Sequence, residues 1–335
     1  MIAYVSNVDL PEVADALLEV DSILITTHAK PDGDAIGSAV ALAHALTMAG
    51  KSIELWIMPP IPAPLRVIAD RFPIKQVGEE HDGFPQSEPD RIVIVDTGSW
   101  AQLEPFRDWL EPRWARTTVI DHHLKGDNVA VARFILPTAA ATAEIIASLI
   151  DLLDIHFEEL IGEALFVGIA SDTGWFRFSN TTPGTHELAA RLIRSGVDHA
   201  RLYRLTEQGE RPEKLLLMQR ALDSLEFVNH VGVMMTLRHQ DFIDTGALLE
   251  ETERFVDLPQ MVQHVETVVL LTETEDGTIR MSFRSKPGPT AIDVSALATE
   301  FGGGGHARAA GAKVKDQSLD QIKQAIRTAM QKAAE

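Results

Sequence analysis

Residues 22–50, SILITTHAKPDGDAIGSAVALAHALTMAG, decide the fold. The run SILITT is short, apolar and β-branched. The stretch AIGSAVALAHALTMAG spaces small and apolar residues at helical intervals, and Gly50 follows as a C-cap. Between them lies a polar loop, so the segment reads as strand, loop, helix. Further strands are legible in IELWIM, RIVIVDT and TTVID. Each is continuously apolar, the pattern of a parallel strand covered on both faces. Helical patterns near 101–111, 141–153 and 157–170 alternate with these strands, which predicts an α/β, doubly wound, mainly parallel sheet.

The pattern changes after Asn180. Residues 185–225 read as mainly helical and charged. FVNHVGVMMTLR and ETVVLLTETEDGTIRMSFRS then alternate like antiparallel strands, with Asp276-Gly277 where a tight hairpin turn belongs. A helix around 293–300, a glycine run and a final helix from about 318 complete a smaller α+β domain. The expected division is a catalytic domain at 1–185, a helical connector at 186–212 and a second domain at 213–335.

A length of 335 residues with 45% hydrophobic and 24% charged content suits two globular domains. With no cysteine, thiolate metal sites, disulfides and cysteine nucleophiles are excluded, so any metal must sit on His, Asp and Glu. A formal net charge of -19 argues against long duplex nucleic acid, whose nonspecific binding needs many Lys and Arg contacts. No apolar run approaches the roughly 20 residues a bilayer requires, so the expectation is a cytoplasmic chain without membrane attachment. The sequence leaves a homodimer open.

Polar residues collect at the ends of the apolar elements. His28, Asp32 and Asp34 lie in the loop after the first strand, Asp96 ends RIVIVDT, and Asp121-His122-His123 follows TTVI. Asp172 lies in GIASDTGWF. Each reads alone as a capping carboxylate or a satisfied histidine. Together they fall on one rim, outside the carboxyl ends of the strands, where ligands of such sheets bind. His28, Asp32, Asp34, Asp96, His122 and Asp172 form a donor set suited to two divalent ions about 3.5 to 4 Å apart. The oxygen-rich set leans toward Mn²⁺, with Mg²⁺, Co²⁺ and Zn²⁺ compatible. Trp175, Phe176 and Phe178 offer base-stacking surfaces, with core packing the competing role for at least two of them.

The motifs H-x-x-P-D-G-D-A-x-G-S, a strand-final Asp, D-H-H and S-D-T-G resemble the four motifs of the DHH phosphoesterase superfamily. GGGGHARAAG at 302–311 is similar to the glycine-rich motif of its DHHA1 domain. The arrangement resembles the subgroup of nanoRNases and 3′-phosphoadenosine-5′-phosphate phosphatases. The resemblance implies that His28, Asp32 and Asp96 hold one metal while Asp34, Asp96, His122 and Asp172 hold the other, with Asp96 as the bridge. It implies that His123 faces the scissile phosphate and that Asp121 fixes a histidine. It also implies a cleft between the domains, in which Arg284, Ser285, Gly303, Gly304, Gly305 and His306 bind the substrate, Arg284 holding the phosphate that is not cleaved.

The expected reaction is hydrolysis of a small nucleotide or a short single-stranded oligonucleotide by a hydroxide bridging the metals. Phosphoanhydride hydrolysis, as in a polyphosphatase or pyrophosphatase, is the alternative enzymatic reading. A nucleotide-sensing module without turnover is the alternative from another class.

Overall fold

The structure is a computed structural model and describes residues 4–287 and 292–333. It divides into two compact units, one ending at Gly209 and the other beginning at Glu210.

The first unit is built on six strands, β1 (Ser22–Thr26), β2 (Ser52–Ile57), β3 (Ile74–Gln76), β4 (Arg91–Val95), β5 (Thr117–Asp121) and β6 (Ala132–Ile135). They lie in the order β3-β2-β1-β4-β5-β6, and every pairing is parallel. The order reverses between β1 and β4, so the loops after these two strands diverge and leave a crevice. The helices are α1 (Leu10–Leu18), α2 (Gly33–Met48), the single-turn α3 (Arg66–Ala69) and α4 (Arg107–Leu110), α5 (Thr142–Leu152), α6 (Glu159–Asp172), α7 (Pro183–Arg194) and α8 (His199–Glu207).

The apolar continuity of the central strands has a direct cause. Ile23, Ile25, Val93, Val95 and Ile120 face the core formed with α2, α5 and α6. Their neighbours Leu24, Ile92, Ile94 and Val119 face a second core with Leu103, Phe106 and Trp109. Each such side chain withdrawn from water contributes about 1.5–3 kcal/mol. Helix α2 is buried almost all round because it lies inside the helical layer. A Cβ on Gly37 would sit 2.4 Å from the Ala164 carbonyl oxygen. That glycine lets α2 and α6 approach backbone to backbone, which brings the start of α2 beside the end of α6.

Residues 101–111, expected as a helix, form only a 3₁₀ turn and the four residues of α4. Pro105 and Pro112 remove backbone donors there, and the segment continues as a second 3₁₀ stretch, Glu111–Arg116. Residues 186–212, expected as a connector, are divided between the units, with α7 and α8 packed on α6.

The second unit contains α9 (Pro212–Asp223), β7 (Glu226–Phe227), β8 (Gly232–Leu237), α10 (His239–Thr245), β9 (Thr267–Glu273), β10 (Ile279–Ser285), α11 (Val294–Thr299), β11 (Gly304–His306), β12 (Ala309–Val314) and α12 (Leu319–Ala333). Its sheet runs β11-β12-β10-β9-β8-β7. The expectation of purely antiparallel pairing fails between β8 and β9, which are parallel. The long connection from Arg238 to Glu266 carries the chain back to the same end of the sheet. VMMTL and TVVLL are also continuously apolar because both of their faces are covered, one against α11 and α12 and the other against α9 and Phe255. Strand β10 alternates buried and less buried residues, as a one-faced strand should. The hairpin at Asp276-Gly277 closes with three residues between Thr274 and Thr278, and Gly277 takes the left-handed position (φ +75°). Among the described residues, no helix is long and apolar enough to cross a membrane.

Candidate metal centre

The loop between β1 and α2 supplies three of the expected ligands. Asp32 is the N-cap of α2, its Oδ1 accepting from the amides of Asp34 (3.1 Å) and Ala35 (3.0 Å). The capping reading and the ligand reading of Asp32 are therefore compatible, because Oδ2 is left over. Asp34 is fully buried and reaches the start of α5. Its Oδ2 accepts from the Thr142 amide (2.6 Å) and its Oδ1 from the Ala143 amide (2.9 Å). A carboxylate at a helix N-terminus satisfies orphan N–H groups and meets the positive end of the dipole. Asp96 follows β4 with φ +63°, a left-handed conformation that costs a non-glycine residue about 1–2 kcal/mol. Its Oδ1 accepts from the Thr142 hydroxyl at 2.9 Å, so Thr142 ties Asp34 and Asp96 together.

The topology brings all six expected ligands to one place. His28, Asp32 and Asp96 form one group able to grip an ion; Asp34, His122 and Asp172 form another. His28 Nε2 is 3.4 Å from Asp96 Oδ2, and His122 Nε2 is 3.6 Å from Asp96 Oδ1. Asp96 thus offers one oxygen to each side. His28 Nδ1 lies 3.0 Å from the Ala29 carbonyl, and His122 Nδ1 lies 3.2 Å from that of Ala139. A carbonyl only accepts, so each Nδ1 donates to its carbonyl, and Nε2 is the nitrogen that each ring can offer to an ion in exchange for a proton.

Two features of the site fit divalent cations. The first is His122 Nε2, which is buried and finds no hydrogen bond of good geometry among the described residues, although Asp172 Oδ2 stands 3.1 Å away. The second is uncompensated charge. Among the described residues, no Lys or Arg pairs with Asp32, Asp34, Asp96 or Asp172. Burial, reinforced by Asp96 and Asp172, holds the Asp34 carboxyl well above the usual carboxylate range. Burial and Asp96 push Asp32 up as well. Asp172 closes α6, where the helix's own carbonyls disfavour a negative charge.

Burial works against protonation of His28, but hydrogen bonding and charge from Asp96 outweigh it and raise this imidazole to about 9. His122 is raised too, Asp172 and Asp96 overcoming its burial. Cations in place of protons would relieve the whole cluster.

Asp121 and His123 adjoin the expected ligands, and His123 with Asp96 and His122 forms a third group close enough to grip an ion. His123 Nδ1 lies 2.7 Å from Asp121 Oδ1, and its main-chain amide donates to the same oxygen at 3.1 Å. That bond raises His123 to about 9, while its ring remains half exposed. Burial alone would push Asp121 up, but His123 and the Tyr4 hydroxyl outweigh it and hold the carboxyl low. His123 Nδ1 also lies 3.8 Å from Asp96 Oδ1, yet this nitrogen is the one committed to Asp121. The imidazole edge carrying Nε2 is therefore left for a substrate.

In the second unit Arg284 is the last residue but one of β10. Its Nε lies 3.3 Å from Asp257 Oδ1, and Nη1 donates to the Phe283 carbonyl at 3.0 Å. Ser285 is buried, and its hydroxyl donates to the Ile292 carbonyl at 2.8 Å, an internal role. Gly303 is required by packing, since a Cβ there would lie 2.2 Å from the Gly311 carbonyl oxygen. Gly304, Gly305 and His306 form the exposed edge strand β11, whose far side pairs with no strand among the described residues.

Residues 22–169 match the family model for the DHH family, N-terminal domain, and residues 239–332 match the DHHA1 domain. The bifunctional oligoribonuclease and PAP phosphatase NrnA of Thermus thermophilus is 34% identical over 96% of this chain and 94% of its own length. The chain belongs to the DHH family. It is a hydrolase of phosphoester bonds, divalent-metal-dependent like others of its kind. The Bacillus subtilis protein of the same name is 26% identical over 88% of this chain and 90% of its own. An exopolyphosphatase-related protein from Bacteroides fragilis shares the fold, with a TM-score of 0.84 at 22% identity, covering 97% of this chain and 96% of that one.

Several residues of this DHH chain escaped the motifs. Thr142 ties two carboxylates. Asn180 Nδ2 donates to the carbonyls of Ala140 (2.9 Å) and Asp172 (3.1 Å), joining the loop before α5 to the end of α6. Asp257 aims Arg284, and Tyr4 meets Asp121. Only Thr142 carried a signal, as a hydroxyl at a helix start.

Proposed function

We propose that this DHH hydrolase cleaves short oligoribonucleotides and removes the 3′-phosphate of 3′-phosphoadenosine-5′-phosphate, using two Mn²⁺ ions. The observation that carries the reading is the pair of donor groups, His28, Asp32, Asp96 and Asp34, His122, Asp172, with Asp96 turned toward both. The names of the Thermus and Bacillus relatives support the substrate class. Four carboxylates against two imidazoles favour Mn²⁺ over softer ions.

In this reading His28, Asp32 and Asp96 would hold one ion and Asp34, Asp96, His122 and Asp172 the other. Two such ions acidify water and neutralise charge on phosphoryl oxygens. The chain's own groups do the rest. His123, fixed through Nδ1 by Asp121, presents Nε2–H to a phosphoryl oxygen and stabilises the charge that grows there. Arg284, aimed by Asp257, grips a phosphate that is not cleaved, and the exposed amides of β11 assist it. Of the three aromatics after Asp172, Trp175 packs on Phe166 and Tyr203 and Phe176 stacks on His186. Phe178 is 54% exposed and is the one available to stack on a base.

The test is turnover by the purified chain with Mn²⁺ on dinucleotides, linear diadenylate and 3′-phosphoadenosine-5′-phosphate, beside pyrophosphate and polyphosphate. The expected products are mononucleotides from the first two, and 5′-AMP with phosphate from the third. Hydrolysis of the inorganic substrates alone would overturn the substrate class. Nucleotide binding without bound metal or turnover would revive the sensing module.

A further inference from the structure

We infer that Tyr4 is a positioning residue of the reaction, holding Asp121 so that Asp121 can hold His123. Tyr4 lies outside residues 22–169, the span matched by the DHH model. The inference rests on the reading of His123 as the group that faces the scissile phosphate.

The chain delivers this tyrosine by a strap. Residues 6–8 run along the otherwise open edge of β6. The amides of Asn7 and Val8 donate to the Arg133 carbonyl at 2.9 and 3.4 Å, and the Arg133 amide donates to Asn7 Oδ1 at 2.7 Å. The Ile135 amide donates to Ser6 Oγ at 2.8 Å, and Asn7 Nδ2 donates to the Val131 carbonyl at 2.8 Å. These bonds fix the register of the strap and set Tyr4 against the core that also contains Phe106 and Val119.

The ring enters a slot that the sequence keeps clear. A Cβ on Gly98 would lie 2.0 Å from the Tyr4 hydroxyl oxygen, and one on Gly126 would lie 2.4 Å from Tyr4 Cε2. Gly98 follows Asp96 by two residues, and Gly126 follows His123 by three. Both segments that bear chemistry therefore leave room for one side chain more than 90 residues away in sequence.

At the bottom of the slot the Tyr4 hydroxyl donates to Asp121 Oδ2. The other oxygen, Oδ1, takes the His123 amide and ring. Asp121 is fully buried, so water cannot replace a lost donor without rearrangement. The two oxygens thus divide the work. Oδ2 is pinned by Tyr4, and this fixes the carboxylate plane that directs Oδ1 at His123. Outer partners of this type set the orientation of the groups they hold.

Tyr4→Phe keeps the ring in its slot and deletes only the hydroxyl. It should lower kcat on 3′-phosphoadenosine-5′-phosphate about 10- to 100-fold, the usual cost of losing such a partner. KM should stay within about twofold, and bound Mn²⁺ per chain should be unchanged, since the hydroxyl touches neither substrate nor metal ligand. In a His123→Ala background the same substitution should add nothing, because both act through one group.

A wild-type kcat for Tyr4→Phe, with His123→Ala impaired, would overturn the inference and leave the role of His123 standing. So would an equal loss in both backgrounds, which would mark Tyr4 as merely structural. Full turnover by His123→Ala would instead remove the reading on which the inference rests, and the inference with it. If Tyr4→Phe does not fold, Gly126→Ala drives a methyl against the ring at Cε2 and should show the same fall in kcat at unchanged KM; wild-type kcat there would overturn the inference.

Discussion

The rim of the first unit and the glycine edge of the second are both lined by polar residues, but they are built in opposite ways. Asp34, Asp96 and Asp121 are at most 1% exposed, and each is held by main-chain amides, hydroxyls or imidazoles contributed by other elements. Gly304, Gly305 and His306 are exposed, and Arg284 is half exposed and restrained by one carboxylate, Asp257. Buried charge without counter-charge is expensive in the folded chain, so the first region stores strain that cations can relieve. The second stores little and is free to adapt. The difference predicts that damage to the rim appears in kcat, metal content and stability, whereas damage to the edge appears in KM.

Asp96→Asn should break the comparison most severely. It keeps the shape and the hydrogen bond from Thr142 but removes the charge that faces both donor groups. We expect kcat to fall by at least about 10³-fold, the upper end for loss of one preorganised electrostatic group, with bound metal reduced on elemental analysis. Near-normal turnover with two ions bound would mean that Asp96 is not shared.

Metal removal tests the stored strain directly. A carboxyl whose folded value is raised, as for Asp34 and Asp32, contributes stability at acid pH that is lost as pH rises through that folded value. The metal-free chain should therefore be least favoured at neutral and higher pH, where the carboxylates ionise side by side. Mn²⁺ at about 100 times its Kd should add about 2.7 kcal/mol, a rise of roughly 5–10 °C in the melting temperature. That rise should shrink toward pH 4, where protons hold both the carboxylates and His28, itself raised to about 9. A metal-induced shift independent of pH between 4 and 8 would contradict the cluster's electrostatics.

Arg284→Ala carries the comparison to the other region. Loss of a charged hydrogen-bonding partner for phosphate costs about 1.5–3 kcal/mol, so KM should rise about 10- to 100-fold with kcat and Mn²⁺ content retained. Asp257→Ala should follow in the same direction with a smaller effect, because it frees the guanidinium without removing it. A fall in kcat equal to that of Asp96→Asn would erase the division between the regions.

How much of each region could be read in advance follows from the same contrast. His28, Asp32, Asp34, Asp96, His122 and Asp172 stand out because polar residues ending apolar strands and helices are conspicuous, and a parallel sheet sends the strand ends to one rim. Their supports are not conspicuous. Tyr4 meets Asp121 across 117 residues, Asn180 meets Ala140 across 40, and neither contact leaves a local pattern. The edge strands β3 and β6 are three and four residues long, too short to show a period. In the second unit the parallel pairing of β8 and β9 was written in their continuous apolarity, yet the alternation of the neighbouring β10 masked it. Ser285 reads in sequence as a ligand-binding hydroxyl, and only the fold shows it buried and donating to the Ile292 carbonyl.

The smallest expected effect is the most discriminating, because it separates two glycines one residue apart. Gly303 backs onto Gly311 and Ala312, whereas among the described residues nothing lies within 4 Å of a Cβ built on Gly304. Gly303→Ala should therefore force the β11–β12 contact apart and destabilise the second unit by about 1–3 kcal/mol, the usual cost of overpacking. Gly304→Ala should leave the melting temperature unchanged. If β11 presents its backbone to a phosphate, the added methyl stands in the ligand's path, and KM should rise a few-fold while kcat holds. Unchanged kinetics in Gly304→Ala would reduce the glycine run to a packing device between β11 and β12, and substrate selection would then rest on Arg284 and its partner Asp257.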